Sequence, residues 1–346
     1  MNRFLFVVTF CFLLGNIRAQ EPLFQNRDIG DANVGIAINK MIQDHQSMIW
    51  LGMEKHGLSR YDGYEWHHVI LDSTSLNLEV TSLFEDRIGK IWVGTAQGKI
   101  FYLDLARKVH LFDIEEGNPA KPITSILQDL NGQIWFATYG EGVYVYTGAR
   151  LFNLGIDDGL SGNDIYTMTS TPSGEIWLGT DDGINVCTFK DEQKQIKQLG
   201  LKEGLPDQIV TSLRADLKGN VWIGTFENGI VYYDAALKKI NTPFISTDMD
   251  EVTSIEIFDD TELWIGTRNS GLWRYHPDTK FVRRLVQFNE LQAGEISDLM
   301  SDVEGNIWVS TNEGILLSAF RPFESLILNV GEVQTIFCDY KDQVWI

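Results

Sequence analysis

Short apolar runs of four to six residues, separated by clusters of Asp, Gly and Asn, recur along this chain at a nearly constant spacing. The most regular run is built on a tryptophan: Ile49-Trp50-Leu51-Gly52, Ile91-Trp92-Val93-Gly94-Thr95, Ile134-Trp135-Phe136-Ala137-Thr138, Ile176-Trp177-Leu178-Gly179-Thr180, Val221-Trp222-Ile223-Gly224-Thr225, Leu263-Trp264-Ile265-Gly266-Thr267, Ile307-Trp308-Val309-Ser310-Thr311 and Val344-Trp345-Ile346. These tryptophans lie 42, 43, 42, 45, 42, 44 and 37 residues apart. A fixed period of this size marks a repeat array, in which function sits on loops of one face rather than in a local catalytic motif. After residue 20 no stretch sustains the apolar spacing of an amphipathic helix.

Within one repeat the pattern predicts four strands. In the second they fall near residues 80–84, 91–95, 98–103 and 109–112, with turn residues between them. An Asp stands six residues before the Trp and a Gly three before it in Asp86/Gly89, Asp129/Gly132, Asp216/Gly219 and Asp302/Gly305. That is tight-turn chemistry, Asp opening the turn and Gly taking a positive φ. Runs such as Ile230-Val231-Tyr232-Tyr233 are apolar on both faces, so each sheet needs a neighbour on each side. Radial repetition of four-stranded antiparallel blades supplies those neighbours. The expected fold is all-β, a seven-bladed β-propeller.

The seventh repeat lacks turn residues after Gly314-Ile315-Leu316-Leu317, while residues 22–29 resemble an orphan fourth strand. The expectation is a ring closed by the N-terminal strand, with the short last interval opening a second propeller that is cut off at Ile346. The domain reading is 1–20 signal peptide, 21–320 propeller, 321–346 incomplete second propeller. An eight-bladed ring is the alternative.

Residues 1–20 combine Arg3, an apolar stretch and Ala19, the layout of a secretory signal peptide. Export to the periplasm follows as an expectation. The net charge of −20 disfavours nucleic acid as a partner. After processing two cysteines remain, Cys187 and Cys338, without disulfide-framework spacing, and they read as buried thiols. Six histidines form no zinc pattern, and no nucleophile elbow or phosphate loop occurs. Asp157-Asp158-Gly159 and Asp181-Asp182-Gly183 read as turns rather than calcium loops. No metal and no cofactor is expected, and the fragment reads as non-enzymatic.

The stretch Ile123-Thr124-Ser125-Ile126-Leu127-Gln128-Asp129-Leu130-Asn131-Gly132-Gln133-Ile134-Trp135-Phe136-Ala137-Thr138, followed by Gly142-Val143-Tyr144, resembles the two-component regulator propeller repeat. The resemblance implies the periplasmic sensor region of a membrane-bound bacterial regulator, with glycan breakdown products as ligands in several members. It implies a homodimer in the full-length parent, a membrane span, and a histidine kinase or DNA-binding output beyond residue 346. Topology places the loops between second and third strands on one face, where Lys55, His56, Tyr139, Glu141, Phe226, Arg268 and Asn269 are candidate ligand-binding residues. A small-molecule or oligosaccharide ligand is the expected partner. Alternative classes are a secreted propeller lyase or glycosidase and a protein-interaction or dimerisation propeller.

Overall fold

The structure is a computed structural model that describes residues 24–27, 37–72, 78–114, 117–190, 193–244, 249–258, 262–285, 295–312, 314–318, 337–338 and 344–345. Seven four-stranded antiparallel sheets follow one another along the chain. Blades 1 to 6 are residues 38–69, 80–112, 123–154, 165–199, 210–241 and 252–285, each a meander of consecutive strands. Blade 7 takes three strands from residues 296–318, and its fourth is Phe24–Arg27, which pairs antiparallel with Gly314–Ser318. Phe24 is buried and meets Trp264 of blade 6 edge-on at 6.1 Å. No α-helix occurs among the described residues; two 3-10 turns, Ile156–Asp158 and Leu201–Glu203, lie between blades.

Phe24–Ala319 form one compact unit. A second gathers residues 1–23 and 320–346, in which Phe337–Cys338 pairs antiparallel with Val344–Trp345. The expected signal peptide, and the rest of the expected second-propeller start, lie outside the described residues. Cys187 is buried.

The repeated phrase forms the second strand of every blade, and all of its residues are buried. Its Trp faces the following blade. Trp50 packs with Leu83 and Val93, Trp177 with Val210 and Ile223, and Trp308 with Ile38 and Leu51 across the junction of blades 7 and 1. The core is therefore a set of layers between blades, each closed by one tryptophan. The phrase glycine permits this close approach: a Cβ at Gly52 would lie 2.5 Å from Val80 Cγ1, and one at Gly224 2.5 Å from Val252 Cγ1. The phrase threonine closes the upper end of the blade. Thr138 Oγ1 donates to the Gly142 carbonyl at 2.8 Å, and Thr95, Thr180, Thr225, Thr267 and Thr311 make the matching bond.

The lower end carries the turn between first and second strands, and its chemistry explains the Asp six residues before the Trp. Asp129 Oδ1 accepts from the N–H of Asn131 and Gln133, and Oδ2 accepts from the Trp135 indole at 3.1 Å. Asp44, Asp86 and Asp302 hold Trp50, Trp92 and Trp308 in the same way. In blade 4 the task is divided between Thr171, which accepts from Glu175 N, and Glu175, which accepts from the Trp177 indole. Blade 6 has Phe258 at the Asp position, and the Trp264 indole N–H is buried without a partner.

Candidate functional site

Seven innermost strands surround a central channel of about 580 Å³. In each of them the register slips by one residue at the same place, two residues into the strand. A bulge re-aims the side chain it carries, and here that side chain ties neighbouring blades. Asn39 Nδ2 donates to Val80 O, and the Oγ1 atoms of Thr81, Thr124, Thr211 and Thr253 donate to the carbonyls of Ile123, Ile165, Val252 and Ile296, at 2.5 to 3.0 Å. In blade 7 the equivalent Ser297 has no such bond among the described residues, and in blade 4 Tyr166 occupies the position. A phenol cannot make the short tie, because its hydroxyl lies a ring's length further out.

The Tyr166 ring instead reaches the upper mouth and meets Tyr139, from the loop after the second strand of blade 3, edge-on at 5.7 Å. Tyr139 is 45% exposed. Its backbone forms an isolated bridge with Asp164, and the amides of Gly140 and Gly142 donate to Asn163 O, which fastens blade 3's loop to the entry of blade 4. Asp181, from the next loop, stands over Gly162, where any side chain would collide with its carboxylate. Burial first, then Tyr139, Asp164 and Asp181 beside it, push the Tyr166 phenol up to about 12. Asp181 is raised above the usual carboxylate range by burial and by Asp164 and Asp182. The mouth is thus an aromatic ledge with carboxylates beside it.

Charge inside the channel is confined to one half. Lys40 Nζ pairs with Asp298 at 2.7 Å, and Arg214 with Glu256 at 2.8 Å, in blades 1, 7, 5 and 6. Asp298 also accepts from Met41 N, and Glu256 from Ser301. Blades 2 to 4 present Ser82, Ser125 and Thr167 at the position of Lys40 and Asp298, and the buried Ser82 Oγ has no partner. No histidine lines the channel among the described residues.

The seven candidate residues from the sequence occupy the second-to-third-strand loops of blades 1, 3, 5 and 6. Lys55 and His56 are exposed, Lys55 lying 3.8 Å from Glu54. Phe226 is partly exposed. Glu141 accepts from Ala120 N and the Tyr144 hydroxyl. Arg268 pairs with Glu251 and Glu295, and the Glu251 hydrogen bond raises its already high pKa. Asn269 donates to Asp250 through both its backbone and its side chain. Glu141, Arg268 and Asn269 are each held by the connection that opens their own blade, and Tyr139 is the member that joins a second aromatic ring. Sequence reasoning missed Tyr166, Asp164 and Asp181. The signal for Tyr166 was present, since it stands where Thr81, Thr124, Thr211 and Thr253 stand. Asp157-Asp158-Gly159 forms a 3-10 turn with Asp158 accepting from Gly155 N and Gly159 at φ 106°.

A seven-bladed propeller with a polar channel and an irregular upper mouth is the class that fold and site define. Two stretches, residues 74–97 and 159–182, match the model of the two component regulator propeller family. The chain is 26% identical over 303 residues to histidine kinase P4 of Formosa agariphila, covering 81% of this chain and 18% of that protein. The extracellular domain of the B. thetaiotaomicron system BT4673, described as a one component system, superposes with a TM-score of 0.74 at 23% identity. That match covers 94% of this chain and 44% of that one. The extracellular domain of the hybrid two component system BT3049 gives a TM-score of 0.72 at 19% identity, over 87% and 42%. The virginiamycin B lyase from Staphylococcus aureus, in a catalytically inactive form with quinupristin, shares the fold with a TM-score of 0.68 at 14% identity, over 86% and 100%. The chain spans less than half of the two extracellular domains it resembles and a smaller share of the kinase. No described helix is long and apolar enough to cross a membrane.

Proposed function

We propose that this chain is the extracytoplasmic ligand-binding propeller of a two-component regulator. On this reading residues 1–20 direct export to the periplasm, and the strand Phe24–Arg27 closes a seven-bladed ring. A second propeller begins after residue 320, and the output domain, a histidine kinase or DNA-binding module, follows a membrane span. The full protein acts as a homodimer, and this propeller performs no catalysis itself. The likeness to extracellular domains of two-component systems supports the class. The observation that carries the binding role is the Tyr139–Tyr166 ledge beside the channel, placed where the scaffold gives up a tie between blades. An oligosaccharide is the fitting ligand, because ring faces and hydrogen-bonding carboxylates together suit a hydroxylated ring.

Calorimetric titration of a panel of soluble oligosaccharides against the exported chain tests this. The expected result is saturable binding of at least one, weakened by Tyr139→Ala without loss of the folded melting transition. Absence of binding across the panel overturns the reading. The fold shared with virginiamycin B lyase gives a second reading, a secreted lyase. Release of a cleaved product from a bound oligosaccharide or from quinupristin would favour it.

A further inference from the structure

We infer that the mouth between blades 3 and 4 takes a ligand carrying an organic ammonium group, seated on the Tyr139–Tyr166 ledge with Asp164 and Asp181 as counter-charges. This rests on reading the upper mouth as the ligand site and adds the charge of the ligand.

Four observations converge. First, the inner strand of blade 4 abandons the side chain that ties its equivalents to the next blade and presents an aromatic ring to the mouth. Second, Tyr139 is largely in solvent and meets Tyr166 at a steep angle rather than stacked on it, so the pair offers aromatic surface to a cation. Third, two carboxylates are brought to that ledge by side-chain-free backbone, Asp181 over Gly162 and Asp164 Oδ1 3.8 Å from where a Cβ of Gly140 would stand. Fourth, neither carboxylate belongs to an ion pair among the described residues. Several other acids of the ring are matched, as in Arg107–Asp44, Arg214–Glu256, Arg274–Glu262 and Lys40–Asp298. The upper face repeats the theme: Glu79 is raised above the usual carboxylate range by burial and by Glu54. A site with an exposed aromatic face and unmatched carboxylates favours a cation over a neutral hydroxylated ring and repels uronates and sulfated sugars. The exposed Lys121 passes Gly140 with its stem and opposes an incoming cation.

An ammonium group can come from an amino sugar or from a polyamine, and three ligands separate these sources. Calorimetry on the full chain would compare the trimer of glucosamine, its fully N-acetylated counterpart of the same shape but no charge, and spermidine. The glucosamine trimer is expected to bind about tenfold tighter than the acetylated one. Tyr139→Ala and Asp181→Asn are each expected to weaken it about fivefold, and Lys121→Ala to strengthen it about twofold, with unchanged melting temperatures. Spermidine equal to the trimer assigns the site to the amine alone, and weaker spermidine assigns it to an amino sugar; both support the inference. It is overturned if the acetylated trimer binds as well as the amine, if neither amine binds, or if binding survives both ledge substitutions. A neutral or acidic oligosaccharide that binds at this mouth more tightly than either amine would sink the charge inference and leave the sensor reading standing.

Discussion

The two ends of the blades obey different rules. At the lower end one solution is used again and again: an Asp carboxylate collects two backbone amides and the indole of a tryptophan six residues on, so turn and core are fixed by one side chain. At the upper end the buried threonine and the glycine that opens the third strand repeat. Beyond them the loops differ from blade to blade, and carboxylates such as Glu79, Asp164 and Asp181 stand without cations paired to them among the described residues. The lower end therefore answers to stability and the upper end is free to answer to a ligand. Substitutions at the two ends should separate along that line.

The largest effect is expected at the lower end. Trp135 is fully buried between blades 3 and 4, and its indole is the partner of Asp129. Trp135→Ala should destabilise the chain by about 3–5 kcal/mol, since it opens a cavity and leaves a buried carboxylate oxygen unmatched. Tyr139→Ala, four residues later, should change stability by no more than about 0.5 kcal/mol. Urea unfolding of both variants checks the contrast, and equal losses would break it.

A smaller loss is expected where blades approach most closely. Gly224→Val would drive a methyl into Val252 and should cost about 1–3 kcal/mol. A matching denaturation midpoint for this variant and the wild type would mean that the blades can part at no expense.

How legible these features were depends on the range of the interaction that fixes them. The Asp–Trp turn is closed within six residues, so spacing alone exposed it; blade 1 was missed because Ser47 stands where other turns have glycine. The four strands per repeat were equally plain, because turn residues bracket each run. The ledge was not legible as a pair, since Tyr139 and Tyr166 meet only when blade 3's loop is laid against blade 4's inner strand. Arg268 and Asn269 looked like recognition groups for the complementary reason. Their partners Glu251 and Asp250 lie in the connection that opens blade 6, and only the folded ring brings the two segments together.

Ser47 offers a gain rather than a loss. It holds φ at 65°, against 90° for Gly89 and 85° for Gly132 in the equivalent turns. A side chain is strained there, and Ser47→Gly should stabilise the chain by about 0.5–1 kcal/mol, the relieved strain outweighing the added freedom of the unfolded chain. A lowered melting temperature would show that the serine side chain contributes more than its backbone strain takes away.

The smallest effect separates the ends by pH. Tyr166 ionises near 12 in the folded chain against 10.0 for an ordinary tyrosine, chiefly through burial and then through its acidic neighbours. A folded-state pKa above the unfolded one gives a contribution that is complete below pH 10.0 and is lost as pH rises toward 12. Over that interval the unfolded chain releases its proton first, so stability falls with pH. Tyr144, raised to about 12 by burial and by Glu141, falls in the same window and keeps part of the slope in any single variant. Tyr166→Phe should therefore flatten the decline between pH 10 and 12 without removing it, and should delete one late-titrating phenolate from the absorbance titration. Trp135→Ala should lower the whole curve and leave the Tyr166 share of its alkaline slope in place. If Tyr166→Phe leaves the slope unchanged, the phenol is not held neutral by the mouth, and the upper end would be less acidic than its carboxylates suggest.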